Sequence, residues 1–175
     1  MEDEFVIRFA SLSDAEGILA VYAPFITDTC ISFETEIPSV ESFRERMRGI
    51  MTAYPYLVCE KSGVIVGYAY ASKYSERAAY RYSADVSIYI APEYHRKGIG
   101  KQLYTTLLEI LKERGFYTVF ACIAGKNKKS EDFHYSFGFV KVGEFHNAGF
   151  KHGRWHNIIW MEKPLREYTN PEDAL

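Results

Sequence analysis

No apolar run in this 175-residue chain approaches the roughly 20 residues that a helix needs to cross a bilayer, so no membrane partner is expected. An excess of one charge sign is also missing. A net charge of −2 leaves no broad basic surface, and a nucleic-acid partner is not expected. The start, M-E-D-E, is acidic, the opposite of a secretory signal. Cysteine is sparse: Cys30, Cys59 and Cys122 are odd in number, scattered and without C-x-x-C spacing. They read as reduced thiols of a cytoplasmic protein, filling core rather than holding a metal or attacking a substrate. Repeats, low-complexity segments and interior linkers are absent, so 1–175 is expected to form a single domain with 166–175 as a polar tail. What is abundant is aromatic, 16% of the chain with 14 tyrosines. That suits a deep aromatic pocket or a subunit interface, and composition does not choose between them.

Hydrophobic periodicity predicts the elements in order. Phe5 to Phe9 reads as a strand. Ser13-Asp14-Ala15-Glu16 reads as a capping box ahead of a helix carrying Ile18, Leu19, Tyr22 and Ile26. Thr29 to Pro38 is a loop with apolar residues, read either as pinned by Ile31 and Phe33 or as a lid over a substrate. Ser39 opens a second helix with Phe43, Met47 and Ile50. Tyr56 to Glu60 and Val64 to Ser72 form a hairpin around Lys61-Ser62-Gly63. Val86 to Ala91 is a strand, Ile99 to Leu111 a helix stopped by Gly115, and Thr118 to Ile123 a strand, which implies a parallel pair with a right-handed crossover. Asn127 to Phe137 is a short helix ending at Gly138. Phe139 to Phe145 and Trp155 to Met161 form a terminal antiparallel pair. The expected fold class is α/β (α+β), a mixed and mostly antiparallel sheet with helices on both faces.

The stretch from Asp85 to Gly115 organises the rest. Its turn, His95-Arg96-Lys97-Gly98-Ile99-Gly100-Lys101, precedes a helix whose first amides have no partner inside the helix. The helix dipole places partial positive charge at those amides. Gly98 and Gly100 let a bulky anion reach the backbone, and Arg96, Lys97 and Lys101 add full charges. The competing reading is a solvated turn before a core helix. A dinucleotide fingerprint fails because Leu103 stands where a third glycine is needed, and a P-loop fails because Gln102 follows Lys101.

The turn H-R-K-G-I-G resembles the Q/R-x-x-G-x-G/A signature of the GNAT N-acetyltransferases, whose turn binds the pyrophosphate of acetyl-CoA. The likeness continues through A-Y-R-Y-S-A-D-V-S-I-Y-I-A-P, H-Y-S-F-G-F and A-G-F-K-H-G-R-W-H. Together these resemble the phosphinothricin (methionine sulfoximine) acetyltransferase branch over nearly the whole chain. The resemblance implies the GNAT fold, with a central splayed parallel strand pair whose gap receives the pantetheine arm against Ile88, Tyr89 and Ile90. It implies acetyl-CoA as cosubstrate, a small-molecule amine as acceptor and a homodimer.

Site residues follow from the same resemblance. Acyl transfer to an amine needs the ammonium deprotonated, the oxyanion stabilised and the leaving thiolate protonated. Asp85 is the candidate base; the branch normally has glutamate there, and the shorter side chain implies action through a water. Its alternative reading is a turn aspartate capping the strand. His134 is the candidate acid, facing the thiol from the short helix, with Tyr135 in reserve; its alternative reading is structural. Asn127 and Ser130 match pantetheine contacts and otherwise read as helix-cap residues. Phe33, Arg77 and Tyr80 match acceptor-pocket positions, although Arg77 also reads as a solvated loop charge. Ser75 stands where a basic residue is expected, so Lys73 substitutes or the acceptor carries less negative charge. His146, His152 and His156 lack helical i, i+4 spacing and interleaved carboxylates, so no metal is expected. The implied function is acetyl transfer to the amine of an amino-acid-like acceptor, phosphinothricin or methionine sulfoximine. The alternatives are another amine (a polyamine or a peptide N-terminus), a CoA-binding module without turnover, or a structural dimer.

Overall fold

Strand alternation sends neighbouring side chains to opposite faces of a sheet, and here each face meets its own helices. The computed structural model describes residues 5–174; residues 1–4, read above as an acidic start, and residue 175 lie outside the described residues. One seven-stranded sheet has the order β1-β2-β3-β4-β5-β7-β6. Its strands are β1 Val6–Phe9, β2 Tyr56–Lys61, β3 Val64–Lys73, β4 Ser83–Ile90, β5 Thr118–Ala124, β6 Val140–Lys151 and β7 Arg154–Pro164. All neighbours pair antiparallel except β4 and β5. The helices are α1 Ala15–Thr27, α2 Val40–Met51, α3 Ile99–Glu113 and α4 Lys128–Ser136. Among the described residues no helix is long and apolar enough to cross a membrane.

On one face Tyr56, Val58 and Tyr68 pack under Ile18, Tyr22 and Ile26 of α1 and Phe43 and Met47 of α2. On the other, Leu57, Ala69, Ala84 and Val86 meet Leu103, Leu107 and Leu111 of α3, with Phe133 and Phe137 of α4 against the same cluster. The predicted spacing of the α3 leucines is therefore its buried face. The tyrosines are concentrated rather than dispersed: Tyr56 and Tyr70 stack at 4.7 Å and Tyr68 and Tyr89 at 5.3 Å.

Two elements start elsewhere than expected. The strand predicted from Val86 begins at Ser83, because Ala84 and Asp85 pair with Lys73 and Ser72 of β3 while Ser83 to Asp85 pair with Thr118 to Phe120 of β5. Asp85 is thus inside a strand, flanked on both sides, rather than in the turn before it. The capping box lies at Ser11 and Asp14, around the short 3-10 turn Leu12–Asp14, and α1 follows from its N-cap Asp14. Asp14 Oδ2 accepts the Ser11 N–H at 2.7 Å, and Arg8 grips both oxygens of Asp14 at 2.8 and 2.9 Å while reaching Glu60 at 2.8 Å. That clamp joins β1, the start of α1 and β2.

The Arg8 hydrogen bonds hold the Asp14 carboxyl down to about 2, below its ordinary 3.8. A depressed carboxylate stabilises the fold fully above its unfolded pKa and loses that contribution as pH falls through the folded one. Asp14→Asn is therefore expected to lower the thermal midpoint at neutral pH. The gap to wild type should close between about pH 4 and pH 2, as read by circular dichroism melts.

Candidate active site

β4 and β5 share only three pairs, Ser83 with Thr118, Ala84 with Val119 and Asp85 with Phe120. Beyond Asp85 both strands continue without each other, β4 to Ile90 and β5 to Ala124. Backbone direction follows from alternation. The Ala91 N–H donates to Val66 of β3 at 2.9 Å, so odd residues turn their backbone toward β3 and Ile88 and Ile90 turn theirs into the gap. His95 Nε2 donates to the Ile90 carbonyl at 2.9 Å, tying the basic turn to that edge. Tyr89 differs from Ile88 and Ile90: its backbone faces β3, and its ring lies against Tyr22 at 4.9 Å and Phe25 at 5.2 Å.

The turn itself is shaped for an anion. Arg96 and Gly98 are left-handed, with φ of 62° and 79°, a conformation that points successive N–H groups into a concavity. No side chain caps α3, which leaves the amides of Ile99, Gly100 and Lys101 open. A Cβ at Gly98 would meet nothing within 4 Å, and one at Gly100 would lie 3.5 Å from Phe133. Among the described residues Arg96, Lys97 and Lys101 form no salt bridge. These groups fit a diphosphate, and the Ile88 backbone with the Ile90 N–H, which no strand pairs, fits an amide-bearing arm.

α4 closes the other side of the gap. Asn127 Oδ1 caps it by accepting the Ser130 N–H at 3.2 Å. His134 departs from the expected thiol-facing acid. It is only 4% exposed and set among the rings of Tyr104, Phe133 and Phe139. Its Nδ1 donates to the Ser130 carbonyl at 2.7 Å. A carbonyl only accepts, so the neutral ring's Nε2 must be the acceptor of the Tyr104 hydroxyl at 2.9 Å. Burial lowers its pKa. At neutral pH this is an uncharged imidazole with both nitrogens engaged. Tyr104, thirty residues away, gave no sequence signal of this pairing.

The opposite face of the sheet carries an open cleft. Asp85, on the face with Tyr89 and Cys122, has Oδ1 buried without a hydrogen-bond partner, and burial pushes its carboxyl up to about 7. A cleft of about 350 Å³ is lined by Tyr22, Phe33, Glu34, Tyr89, Cys122 and Ile158. Tyr80 stands beside Tyr74 at 5.3 Å, and Tyr74 lies on Phe120, the strand partner of Asp85, at 4.4 Å. Arg77 precedes the short turn Ala78–Tyr80 on the surface. The structure therefore brings Tyr80 toward Asp85 through Tyr74 and Phe120, while Phe33 forms a separate wall.

Two residues that sequence reasoning missed fix that wall. Lys151 is 5% exposed, and its ammonium donates to the Ile26 carbonyl at 2.6 Å and the Ser32 carbonyl at 2.7 Å. Burial lowers its pKa, while the carbonyl of Ile26 in the last turn of α1 favours the charge. Gly149 makes room for Phe33: a Cβ there would stand 2.3 Å from the Phe33 ring. The loop from Thr29 to Pro38 is thus held down on β6, with Ser32 also bonded to the Tyr22 hydroxyl at 2.7 Å. His156, 6.0 Å from Phe33, donates to the Lys151 carbonyl at 3.0 Å.

The profile of the Acetyltransferase (GNAT) domain matches residues 7–160. A phosphinothricin N-acetyltransferase of Alcaligenes faecalis is 35% identical over 95% of this chain and 86% of its own. A methionine sulfoximine/methionine sulfone acetyltransferase of Salmonella typhimurium is 28% identical over 95% of this chain and 98% of its own. The crystal structure of a phosphinothricin acetyltransferase from Sinorhizobium meliloti, in complex with acetyl-CoA, superposes with a TM-score of 0.88 at 34% identity. It covers 91% of this chain and 88% of the other. The chain belongs to the GNAT family of acetyltransferases.

Gly149→Ala should force the Phe33 ring out of its seat and destabilise the fold by about 1–3 kcal/mol. In a Phe33→Ala background the same change should cost far less. Urea denaturation of the four proteins in this cycle reads the coupling.

Proposed function

We propose that this chain, as one catalytic domain, transfers the acetyl group of acetyl-CoA to the primary amine of a small amino-acid-like acceptor. Phosphinothricin and methionine sulfoximine are the leading acceptors. The observation that carries the reading is the unpaired β4 edge at Ile88 and Ile90, ending in the uncapped start of α3. When bound there, acetyl-CoA supplies an activated acetyl group as a thioester. The Ile99, Gly100 and Lys101 amides with the Arg96, Lys97 and Lys101 side chains hold the diphosphate. An outward N–H of the β4 edge donates to the oxygen that gains charge. Asn127 and Ser130 border the arm from α4.

Asp85 is the base. Its burial without a charged partner makes it a far better proton acceptor than an exposed aspartate, and about half of it is ionised near pH 7. It takes a proton from the acceptor's ammonium, through a water given its short side chain. The freed nitrogen lone pair forms the C–N bond as the C–S bond breaks, and the proton that the new amide nitrogen sheds goes to the departing CoA thiolate, leaving the amide and free CoA thiol. Neutral His134, holding Tyr104, keeps α4 seated against α3 and so positions the wall beside the leaving sulfur. Phe33, Arg77 and Tyr80 surround the acceptor, with Arg77 the fork for an acidic group.

The exposed pair Phe150 and Trp155, 5.3 Å apart on one sheet face, supports a homodimer of this cytoplasmic enzyme; sedimentation velocity checks it.

Three outcomes are expected. Acetyl-CoA at 100 times its Kd should stabilise the protein by about 2.7 kcal/mol, and Gly98→Val should abolish that shift. A screen of amines by thiol release should find methionine sulfoximine or phosphinothricin among the acceptors. The kcat/KM of the best acceptor should rise with pH through a midpoint near 7, and Asp85→Asn should remove that limb and about a hundredfold or more of the rate.

A further inference from the structure

Among the described residues, two buried side-chain oxygens have no hydrogen-bond partner, Asp85 Oδ1 and Glu34 Oε2. Asp85 is the base proposed above. Glu34 sits in the held-down loop, and it lines the same cleft as Cys122 and Tyr89. Its other oxygen is taken by Arg46 of α2, Nη1 to Oε1 at 2.6 Å. The ion pair takes Oε1 and leaves Oε2 without a hydrogen-bond partner.

Glu34 lines the cleft, and Asp85, paired with Phe120, lies on the same sheet face as Cys122, which lines it too. Tyr70, on the sheet between them, has its phenol pushed up first by burial and then by the charges of both Glu34 and Asp85. Tyr22 and Tyr89, which line the cleft, also feel Glu34. Cys122, likewise in the lining, feels Asp85. The cations nearby are committed elsewhere: Arg46 to Oε1 and Lys151 to two carbonyls. Ionised carboxylates only accept hydrogen bonds, and a buried acceptor without a donor is costly. A group with several N–H donors and one positive charge would satisfy Glu34 Oε2 and still offer a hydrogen to a water leading to Asp85. A primary ammonium is such a group, and the tyrosine rings around it suit a cation.

We propose that Glu34 is a specificity-determining residue for the acceptor, receiving one N–H of its ammonium on Oε2 while another reaches Asp85 through water. The inference rests on the reading of this cleft as the acceptor site. It assigns the substrate class as primary amines that enter protonated, with Glu34 retaining the nitrogen after Asp85 removes a proton. Glu34 transfers no proton itself. It orients the lone pair by holding one of the hydrogens that stay.

The test uses the whole chain saturated with CoA. Methionine sulfoximine, phosphinothricin and their des-amino analogues are titrated by calorimetry into wild type, Glu34→Gln and Glu34→Asp. Glu34→Gln should weaken the amine ligands about tenfold or more, the usual range for losing a hydrogen bond to a charged group. The des-amino analogues and CoA should bind as before. Glu34→Asp should recover part of the loss. Steady-state assays should place the change in the amine KM, with the acetyl-CoA KM unmoved. Equal weakening of amine and des-amino ligands would make Glu34 a shaping residue only and overturn the inference. So would unchanged amine binding in Glu34→Gln, or a wild-type protein that binds none of the amines. Wild-type protein that binds an amine through Glu34 yet fails to acetylate it would sink the acetyl-transfer reading and leave the ammonium seat standing.

Discussion

Three residue pairs join β4 to β5, and then the strands part. Everything in the site depends on that short union. Backbone groups inside a sheet are normally satisfied by the neighbouring strand, and leaving them open in a protected place is unfavourable unless something else arrives. Here the opening faces the start of a helix whose own amides are open as well. One face of the sheet then offers amides and positive charge, and the other offers carboxylates and aromatic rings. In the proposed reaction a thioester passing through the gap meets an amine on the far side, and the sheet itself separates carrier from acceptor.

The pocket on the acceptor side is already built. Lys151, Gly149 and the Tyr22–Ser32 hydrogen bond hold Phe33 and Glu34 in place without a ligand. A loop held this way brings its recognition groups to the substrate preorganised, so less ordering is needed on binding. The cost is a buried lysine, tolerable because each strong hydrogen bond goes to a carbonyl at a helix end or in the loop it restrains.

Much of this could be read from the chain before any coordinates. The α3 leucines, the glycine turn and the order of strands follow from spacing and turn chemistry, which are local. What stayed hidden depended on partners distant in sequence. Asp85 read as the residue before a strand because aspartate is a poor strand former; pairing with Ser72 and Phe120 overrides that preference. His134 read as facing the thiol because Tyr104, which occupies its Nε2, comes from another helix. Glu34 was not singled out in the sequence. Its only sequence signal was its place beside Phe33 in a segment unusually apolar for a loop. Gly149 and Lys151 stood inside the A-G-F-K-H-G-R-W-H match without a role of their own, since the clash and the hydrogen bonds that define them involve a loop more than a hundred residues earlier.

The elevated proton affinity of Asp85 has a single source, removal from water, with no neighbouring charge contributing to it. Dissolved ions screen charge–charge forces but do little to rehydrate a carboxylate enclosed by protein. The acid–base midpoint of this enzyme should therefore stay almost fixed between dilute buffer and concentrated sodium chloride. A base tuned by a nearby charge would drift under the same change of ionic strength.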